Sequence, residues 1–124
     1  MDGVPSEQRI SQALSHSERF VQQYYPHFGR SIGKYYTDES RVVWNGSPFT
    51  GTQFKQEQLP DIQKALGQFE VTSYDAQPMG SDSSMVSVSG TARLARDKVQ
   101  FSQYFVLKKA GTLTYILSDC FRLV

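Results

Sequence analysis

The chain has 124 residues, of which 39% are hydrophobic and 13% aromatic, and its formal net charge is +1. This length predicts one domain with a single core, and the near-zero charge gives no bulk electrostatic case for tight binding to nucleic acid or membranes. No apolar run approaches the roughly 18 residues of a membrane span. The single cysteine, Cys120, excludes an internal disulfide and fits a reducing compartment. The largely polar residues 1–7 argue against a signal peptide.

Three helical segments are predicted in the first half of the chain. Residues 6–25 carry apolar side chains at helical spacing, and this is the clearest helix of the sequence. Residues 28–36 predict a short second helix. Residues 51–66 predict a third, in which Pro60 indicates either a kink or a break after which it lies in a new first turn.

Strands are predicted for the rest of the chain. A short strand over residues 41–44 leads into Asn45-Gly46, a strong signal for a tight hairpin turn. Four long strands follow, over residues 68–77, 84–94, 99–109 and 112–124. Helices grouped before a meander of strands indicate an α+β fold, in which the helices pack on one face of a curved antiparallel sheet.

The last predicted strand alternates between two kinds of side chain. One parity holds Leu113, Tyr115, Leu117, Phe121 and Leu123, and the other holds Thr114, Ile116, Ser118, Cys120 and Arg122. A period of two over this length indicates a strand with one face in a core. The second set mixes apolar and polar side chains. Such a mixture suits a surface that is exposed to solvent in the monomer and covered in a complex.

Five short motifs, in this order and spacing, resemble the nuclear transport factor 2-like superfamily along essentially the whole chain. They are Phe20-Val21-Gln22-Gln23-Tyr24-Tyr25, Val43-Trp44-Asn45-Gly46 with Phe49-Thr50-Gly51, Asp75-Ala76-Gln77-Pro78, Phe101-Ser102-Gln103-Tyr104-Phe105-Val106-Leu107 and Ser118-Asp119-Cys120-Phe121-Arg122. The resemblance implies a single cone-shaped domain over residues 1–124, with a curved antiparallel sheet and three N-terminal helices packed on one face. It also implies dimerisation through the sheet.

Two transport branches of this superfamily are compatible with the motifs. The homodimeric import carrier of Ran-GDP is expected to have an acidic residue after the hairpin tryptophan and an acidic loop before the Phe-x-Gln strand. This chain has Asn45 and the basic Arg96-Asp97-Lys98 at those places. The residues of the motifs instead resemble those of the small subunit of the messenger-RNA export heterodimer. The partner of that subunit is the large TAP-type receptor.

The export resemblance implies a non-catalytic role at the nucleus and nuclear pore, with shuttling to the cytoplasm. The small subunit covers the sheet of the homologous domain in the large receptor, and the pair binds phenylalanine-glycine repeats of the pore. A third option is a scaffold domain that binds short phenylalanine-containing motifs without transport.

The resemblance also implies which residues meet the partner. Asp75 and Arg122 are expected to form ion pairs with the partner's sheet, because a buried charge left unpaired costs roughly 3–5 kcal/mol. The alternative is that these two residues satisfy local backbone groups or each other on a wet surface. The remaining interface candidates supply amphipathic or small contact area, and they are Gln103, Tyr104, Ser118 and Cys120.

Enzymes of the superfamily use the cone as a pocket, with an acidic or histidine base and tyrosine donors. The candidates here are Asp75 or Asp119 as the base and Tyr24, Tyr25, Tyr35 or Tyr36 as the donors. Almost any aromatic-rich domain contains such a set of residues. In addition, the aromatic side chains of the export subunit are expected to fill its own cone. We therefore predict no catalytic residue, no cofactor and no metal, since His16 and His27 are too few to bind one.

Weak contact with RNA backbone is a further expectation. The candidate cations are Lys34, Arg93, Arg96, Lys98, Lys108 and Lys109. They lie on several predicted elements, and the sequence leaves open whether they converge.

Overall fold

The computed structural model describes residues 6–124, so most of the polar N-terminal stretch lies outside it. The helical elements are α1 (Ser6–Tyr24), a single 3-10 turn (Ile32–Tyr35), α2 (Gly51–Gln53), a π-helical turn (Phe54–Gln58) and α3 (Leu59–Ala65). The strands are β1 (Tyr36–Trp44), β2 (Ser47–Thr50), β3 (Leu66–Met79), β4 (Ser83–Leu94), β5 (Asp97–Ala110) and β6 (Leu113–Leu123). No helix in residues 6–124 is long and apolar enough to cross a bilayer.

The first and third predicted helices are confirmed, whereas the second is wrong. Residues 28–35 form turns followed by the 3-10 turn, and Tyr36 already begins β1, so the buried anchors of this segment are Phe28, Ile32 and Tyr36. Gly29 and Gly33 explain the difference, because glycine weakens a helix interior. The third segment breaks as predicted, since α3 begins at Leu59 with Pro60 in its first turn.

The sheet has six described strands in the order β2-β1-β6-β5-β4-β3. The prediction of a purely antiparallel sheet is wrong, because β1 and β6 pair in parallel, while every other neighbouring pair is antiparallel. The chain leaves β2 through α2 and α3 and enters the opposite edge of the sheet at β3. The meander from β3 then returns β6 alongside β1.

A β-bulge in β6 changes which side chains face the core. Val106 pairs with Ser118, whereas Leu107 pairs with Ile116, so Leu117 is an extra residue between the two pairs. The prediction that Leu113, Tyr115, Leu117, Phe121 and Leu123 share one face of this strand is therefore wrong for the residues before the bulge and right for those after it. Ile116 is fully buried on the helix side, and Leu113 is 56% exposed.

Aromatic side chains fill the space between the helices and the sheet. Six of them are at most 1% exposed, and they are Tyr24, Tyr36, Phe54, Phe101, Phe105 and Phe121. Trp44 stacks on Phe121 with ring centroids 3.9 Å apart and an interplanar angle of 6°. The cone is therefore a packed core, which stabilises the fold through burial of large apolar surfaces.

We predict that Gly90→Ala destabilises the fold. A Cβ atom at Gly90 would lie 2.1 Å from the carbonyl oxygen of Glu70, so β3 would have to move away from β4. The expected loss in the free energy of unfolding is roughly 1–3 kcal/mol, as for other overpacked sites. Urea unfolding measures it.

Gly29→Ala is the matched control, because no heavy atom lies within 4 Å of a Cβ built at Gly29. Its effect should stay within about 0.5 kcal/mol. Equal unfolding midpoints for the two variants would contradict the close approach of β3 and β4.

Candidate partner interface and the closed cone

The outer face is the face of the sheet that points away from the helices. The strand registers place Asp75 beside Ser87, Ser87 beside Tyr104, Tyr104 beside Cys120, and Cys120 beside Val43. These residues form one line across five strands. Three of the predicted interface residues, Asp75, Tyr104 and Cys120, are therefore neighbours on one surface.

The two flanking lines bring in the other predicted residues. Ser118 pairs with Val106, and Arg122 pairs with Ser102. Each lies two residues from Cys120 along β6, which corresponds to a separation of roughly 7 Å. The structure thus places Asp75, Tyr104, Ser118, Cys120 and Arg122 on the outer face.

Asp75 and Arg122 are both exposed, and they cannot satisfy each other. Two strands, β4 and β5, separate them, which corresponds to about 14 Å across the sheet. Neither side chain has an ion pair or hydrogen bond within the described residues. The Arg122 guanidinium lies beside Gly46 of the β1–β2 turn. The outer face therefore carries Asp75 and Arg122 without a charge partner among the described residues, and the strand registers place the cations Arg41 and Lys108 on the same face.

Apolar side chains surround these charges on the outer face. Met79, Tyr104 and Leu113 are 43%, 36% and 56% exposed. Further apolar residues there are half-buried, namely Val43, Met85, Val106 and Tyr115. No helix of the described chain covers them, and an apolar surface with hydroxyl groups and a few charges is typical of a protein interface.

Gln103 does not lie on the outer face, so its predicted placement there is corrected. It is 2% exposed and points into the cone. Its Nε2 donates to Asp119 Oδ1 at 2.8 Å, and its Oε1 accepts from the Tyr25 hydroxyl at 2.8 Å. The sequence contained the signal, because Gln103 shares its parity with Phe101 and Phe105 on β5.

Asp119 is the centre of a buried polar network inside the cone. The Tyr36 hydroxyl donates to Asp119 Oδ2 at 2.5 Å, and the Tyr24 and Tyr36 hydroxyls are 2.7 Å apart. Burial raises the pKa of the Asp119 carboxyl to about 6, although the hydrogen bonds from Gln103 and Tyr36 oppose the rise. Burial also raises the pKa of Tyr24 and Tyr36 well above 10, so both hydroxyls stay protonated.

A carboxylate facing tyrosine donors is the arrangement of a general base, but a substrate has no access to it here. Tyr24, Phe105 and Phe121 fill the surrounding space. Asp119 lines none of four surface clefts found on the described chain. The network satisfies polar groups within the core, which is what burial of a carboxyl requires.

The two transport branches are expected to differ at Asn45 and at the loop before β5, and both positions have local structural roles. Asn45 has a φ of 48°, its backbone N–H donates to Phe121 O, and its Oδ1 accepts from Leu123 N–H at 2.8 Å. It thus links the hairpin turn to the end of β6. The loop before β5 is a tight turn at residues 95–96, and Asp97 and Lys98 already pair with β4.

The candidate RNA-binding cations do not form one patch. Arg93, Arg96 and Lys98 lie around the β4–β5 turn, whereas Lys108 and Lys109 lie at the far end of β5. Ten residues of strand separate Lys98 from Lys108, or roughly 33 Å. Lys34 lies over the ring of Tyr35 in the 3-10 turn, 5.3 Å from its centroid.

Neither histidine belongs to a metal site. His16 Nε2 lies 2.8 Å from Thr114 Oγ1, and His27 Nδ1 lies 2.8 Å from Gln23 O. Among residues 6–124, no group of three or more His, Cys, Asp or Glu side chains could hold a metal ion.

Comparison with known proteins gives one family. Residues 16–123 match the Nuclear transport factor 2 (NTF2) domain. Nuclear transport factor 2 of rice (Oryza sativa subsp. japonica) is 32% identical over 86% of this chain and 93% of its own. NTF2-related export protein 1 of Bos taurus is 28% identical over 98% of this chain and 96% of its own.

A solved structure supports the same assignment. Nuclear transport factor 2 from Cryptosporidium parvum superposes with a TM-score of 0.74 at 28% identity, over 94% of this chain and 95% of its own. The fold inferred from the sequence is thus confirmed as an α+β, nuclear transport factor 2-like fold, with a mixed rather than antiparallel sheet. The similar proteins carry both names, Nuclear transport factor 2 and NTF2-related export protein.

We predict that the stability of the fold decreases as pH rises from about 4 to about 7. The folded chain keeps a proton on Asp119 up to pH near 6, whereas the unfolded chain loses it near 3.8. Ionising the buried carboxyl therefore costs folding free energy, on the order of 3 kcal/mol for this shift. Urea unfolding at a series of pH values measures the slope.

Asp119→Asn should remove the part of the pH dependence of the unfolding free energy that comes from ionisation of Asp119. The amide oxygen can still accept from Gln103, and the Tyr24–Tyr36 pair can reverse its hydroxyl direction to accept from the amide nitrogen. Asp97→Asn, at an exposed position, is the control and should leave the slope unchanged. A wild-type slope retained in Asp119→Asn would show that Asp119 does not titrate in the core.

Proposed function

Because the chain belongs to the nuclear transport factor 2 family, we propose that it is the small, non-catalytic subunit of a heterodimeric nuclear export receptor for messenger RNA. It pairs sheet to sheet with the homologous domain of the large, TAP-type receptor chain. The pair binds phenylalanine-glycine repeats of the nuclear pore and shuttles between nucleus and cytoplasm.

The observation that carries this proposal is the pattern of charge on the outer face. Asp75 and Arg122 lie on strands about 14 Å apart without partners among the described residues, and Ser87, Ser102 and Tyr104 lie between them. A sheet that covers this surface removes the apolar area from water, but it must also offer a cation to Asp75 and a carboxylate to Arg122. These requirements restrict which sheets can cover the surface.

The closed cone supports a binding role over a catalytic one. Asp119 is the only buried carboxylate among the described residues, and its hydrogen-bond partners are core side chains. A binding subunit needs a rigid sheet whose outer face keeps its shape, and an aromatic core provides that rigidity. Binding the large chain would also stabilise it by mass action.

The alternative is a homodimeric import carrier for Ran-GDP. It is favoured by relatives such as the rice protein named Nuclear transport factor 2. The outer face is also compatible with self-pairing, because a two-fold axis parallel to the strands between β4 and β5 would bring Asp75 of one copy near Arg122 of the other. Asn45 and the basic turn before β5 argue against this role, since carboxylates are expected at both places in the carrier.

Native capture of the tagged chain from its own cell type tests the choice. A larger chain with its own nuclear transport factor 2-like domain, recovered in equal amount, is the result expected for the export subunit. A homodimer recovered together with Ran and without such a chain would establish the carrier instead.

We predict that Arg122→Ala weakens binding to the large receptor chain by at least tenfold but lowers the melting temperature of the isolated chain little. The side chain is exposed and has no partner in the described chain, so its removal costs the fold nothing specific. Calorimetric titration and thermal unfolding measure the two effects.

Arg30→Ala removes an exposed arginine in the turn after α1 and should change neither quantity. Asp75→Ala should behave like Arg122→Ala. Equal losses of binding and melting temperature in Arg122→Ala would instead show that Arg122 is a structural residue.

A further inference from the structure

A polar cleft of about 470 Å³ lies on the helix side of the sheet, between α1 and the turn that joins β3 to β4. Its walls include Arg9, His16 and Arg19 from α1, residues 80–83 from the turn, and Lys109 from the end of β5. None of the partner-interface candidates lines it. The cleft therefore stays open when a second sheet covers the outer face.

Strand alternation directs Lys109 into this cleft. Lys108 pairs with Tyr115 on the outer face, whereas Lys109 pairs with Thr114 on the helix side. The Thr114 hydroxyl lies 2.8 Å from His16 Nε2, which joins the end of the sheet to α1. A second cleft, of about 330 Å³, shares His16, Arg19 and Lys109 with the first. These three residues form the common wall of the two clefts.

Positive charge in the cleft exceeds negative charge. Asp82 is the one carboxylate in the lining, whereas Arg9, Arg19 and Lys109 are three cations. Within the described chain, the Arg19 and Lys109 side chains have no ion pair or hydrogen bond. Burial lowers the pKa of His16, and the nearby charges of Lys109 and Arg19 lower it further. Both cations therefore act on the imidazole.

We propose that this cleft binds a phosphate monoester, carried by a phosphorylated serine or threonine of a partner protein. Arg19 presents a planar fork of donors, and Lys109 adds a point charge. Serine hydroxyls of α1 and the β3–β4 turn line the cleft and supply neutral donors, namely Ser11, Ser15 and Ser81. A phosphorylated side chain offers a charge near −2 and three acceptor oxygens, which match this set.

A single recess with one group of cations favours a phosphorylated side chain over RNA. Binding of a nucleic acid strand depends on several cations that follow successive phosphates. Of the other candidate cations, Arg93, Arg96 and Lys98 lie at the opposite end of β5, and Lys108 lies on the outer face, so these four do not extend the track from Lys109.

The His16 ring provides a reporter for the test. N-acetyl-phosphoserine amide is titrated into the full chain while the His16 ring signals are followed by NMR. We expect saturable shifts, and an increase in the pKa of His16 when the dianion is bound, because the anion offsets the charges of Arg19 and Lys109. Unphosphorylated N-acetyl-serine amide should cause no shift.

Lys109→Glu and Arg19→Glu should each weaken this binding at least fivefold. Lys108→Glu makes the same charge change one residue away on the outer face, so it should alter binding less than twofold. Lys109→Gln and Arg19→Gln remove one positive charge instead of reversing it, so each should weaken phosphoserine binding less than the corresponding Glu variant.

Three results would overturn the proposal. The first is the absence of any His16 shift with the phosphoserine probe, and the second is equal weakening by Lys108→Glu, which would indicate non-specific charge attraction. The third is tighter binding of inorganic phosphate or of a single-stranded oligoribonucleotide than of the phosphoserine probe. Either ligand would then replace the phosphorylated side chain as the occupant.

Discussion

The parallel pairing of β1 with β6 is the contact on which the rest of the structure depends. It joins the hairpin from the first half of the chain to the last strand of the meander. Side chains reinforce the seam along its length: Tyr36 donates to Asp119, Ser40 Oγ donates to Ile116 O at 2.5 Å, and Trp44 stacks on Phe121. Breaking this seam would separate the β1–β2 hairpin from the meander.

The sheet that this pairing completes has one face packed against the helices and one face exposed to solvent. Toward the helices, aromatic rings and the Asp119 network leave no room for a substrate. Away from them, the same strands present Val43, Tyr104 and Cys120 to solvent in one line. A packed core behind a partly apolar sheet face is a good basis for sheet-to-sheet docking, because the surface loses little conformational freedom on binding. The arrangement therefore favours recognition over catalysis.

Local patterns in the sequence were enough to predict most elements, and the family resemblance supplied five interface candidates that lie on the outer face. They could not predict the parallel β1–β6 pair, since that pair joins residues about 75 positions apart through tertiary packing. The bulge at Leu117 is similarly invisible to a period of two, and it moved Ile116 into the core. Gln103 is different, because its parity with Phe101 and Phe105 was readable, and its polar side chain misled the prediction.

The central claim is that the outer face is the partner interface, and the thiol of Cys120 tests it most directly. Cys120 is the single cysteine of the chain, it is exposed, and it lies between Tyr104 and Val43 in the middle of that face. Its rate of modification by a thiol reagent is measured by mass spectrometry of this chain, alone at low concentration and bound to the large receptor chain. We predict at least tenfold slower modification in the complex. An unchanged rate in a saturated complex would show that the partner binds elsewhere.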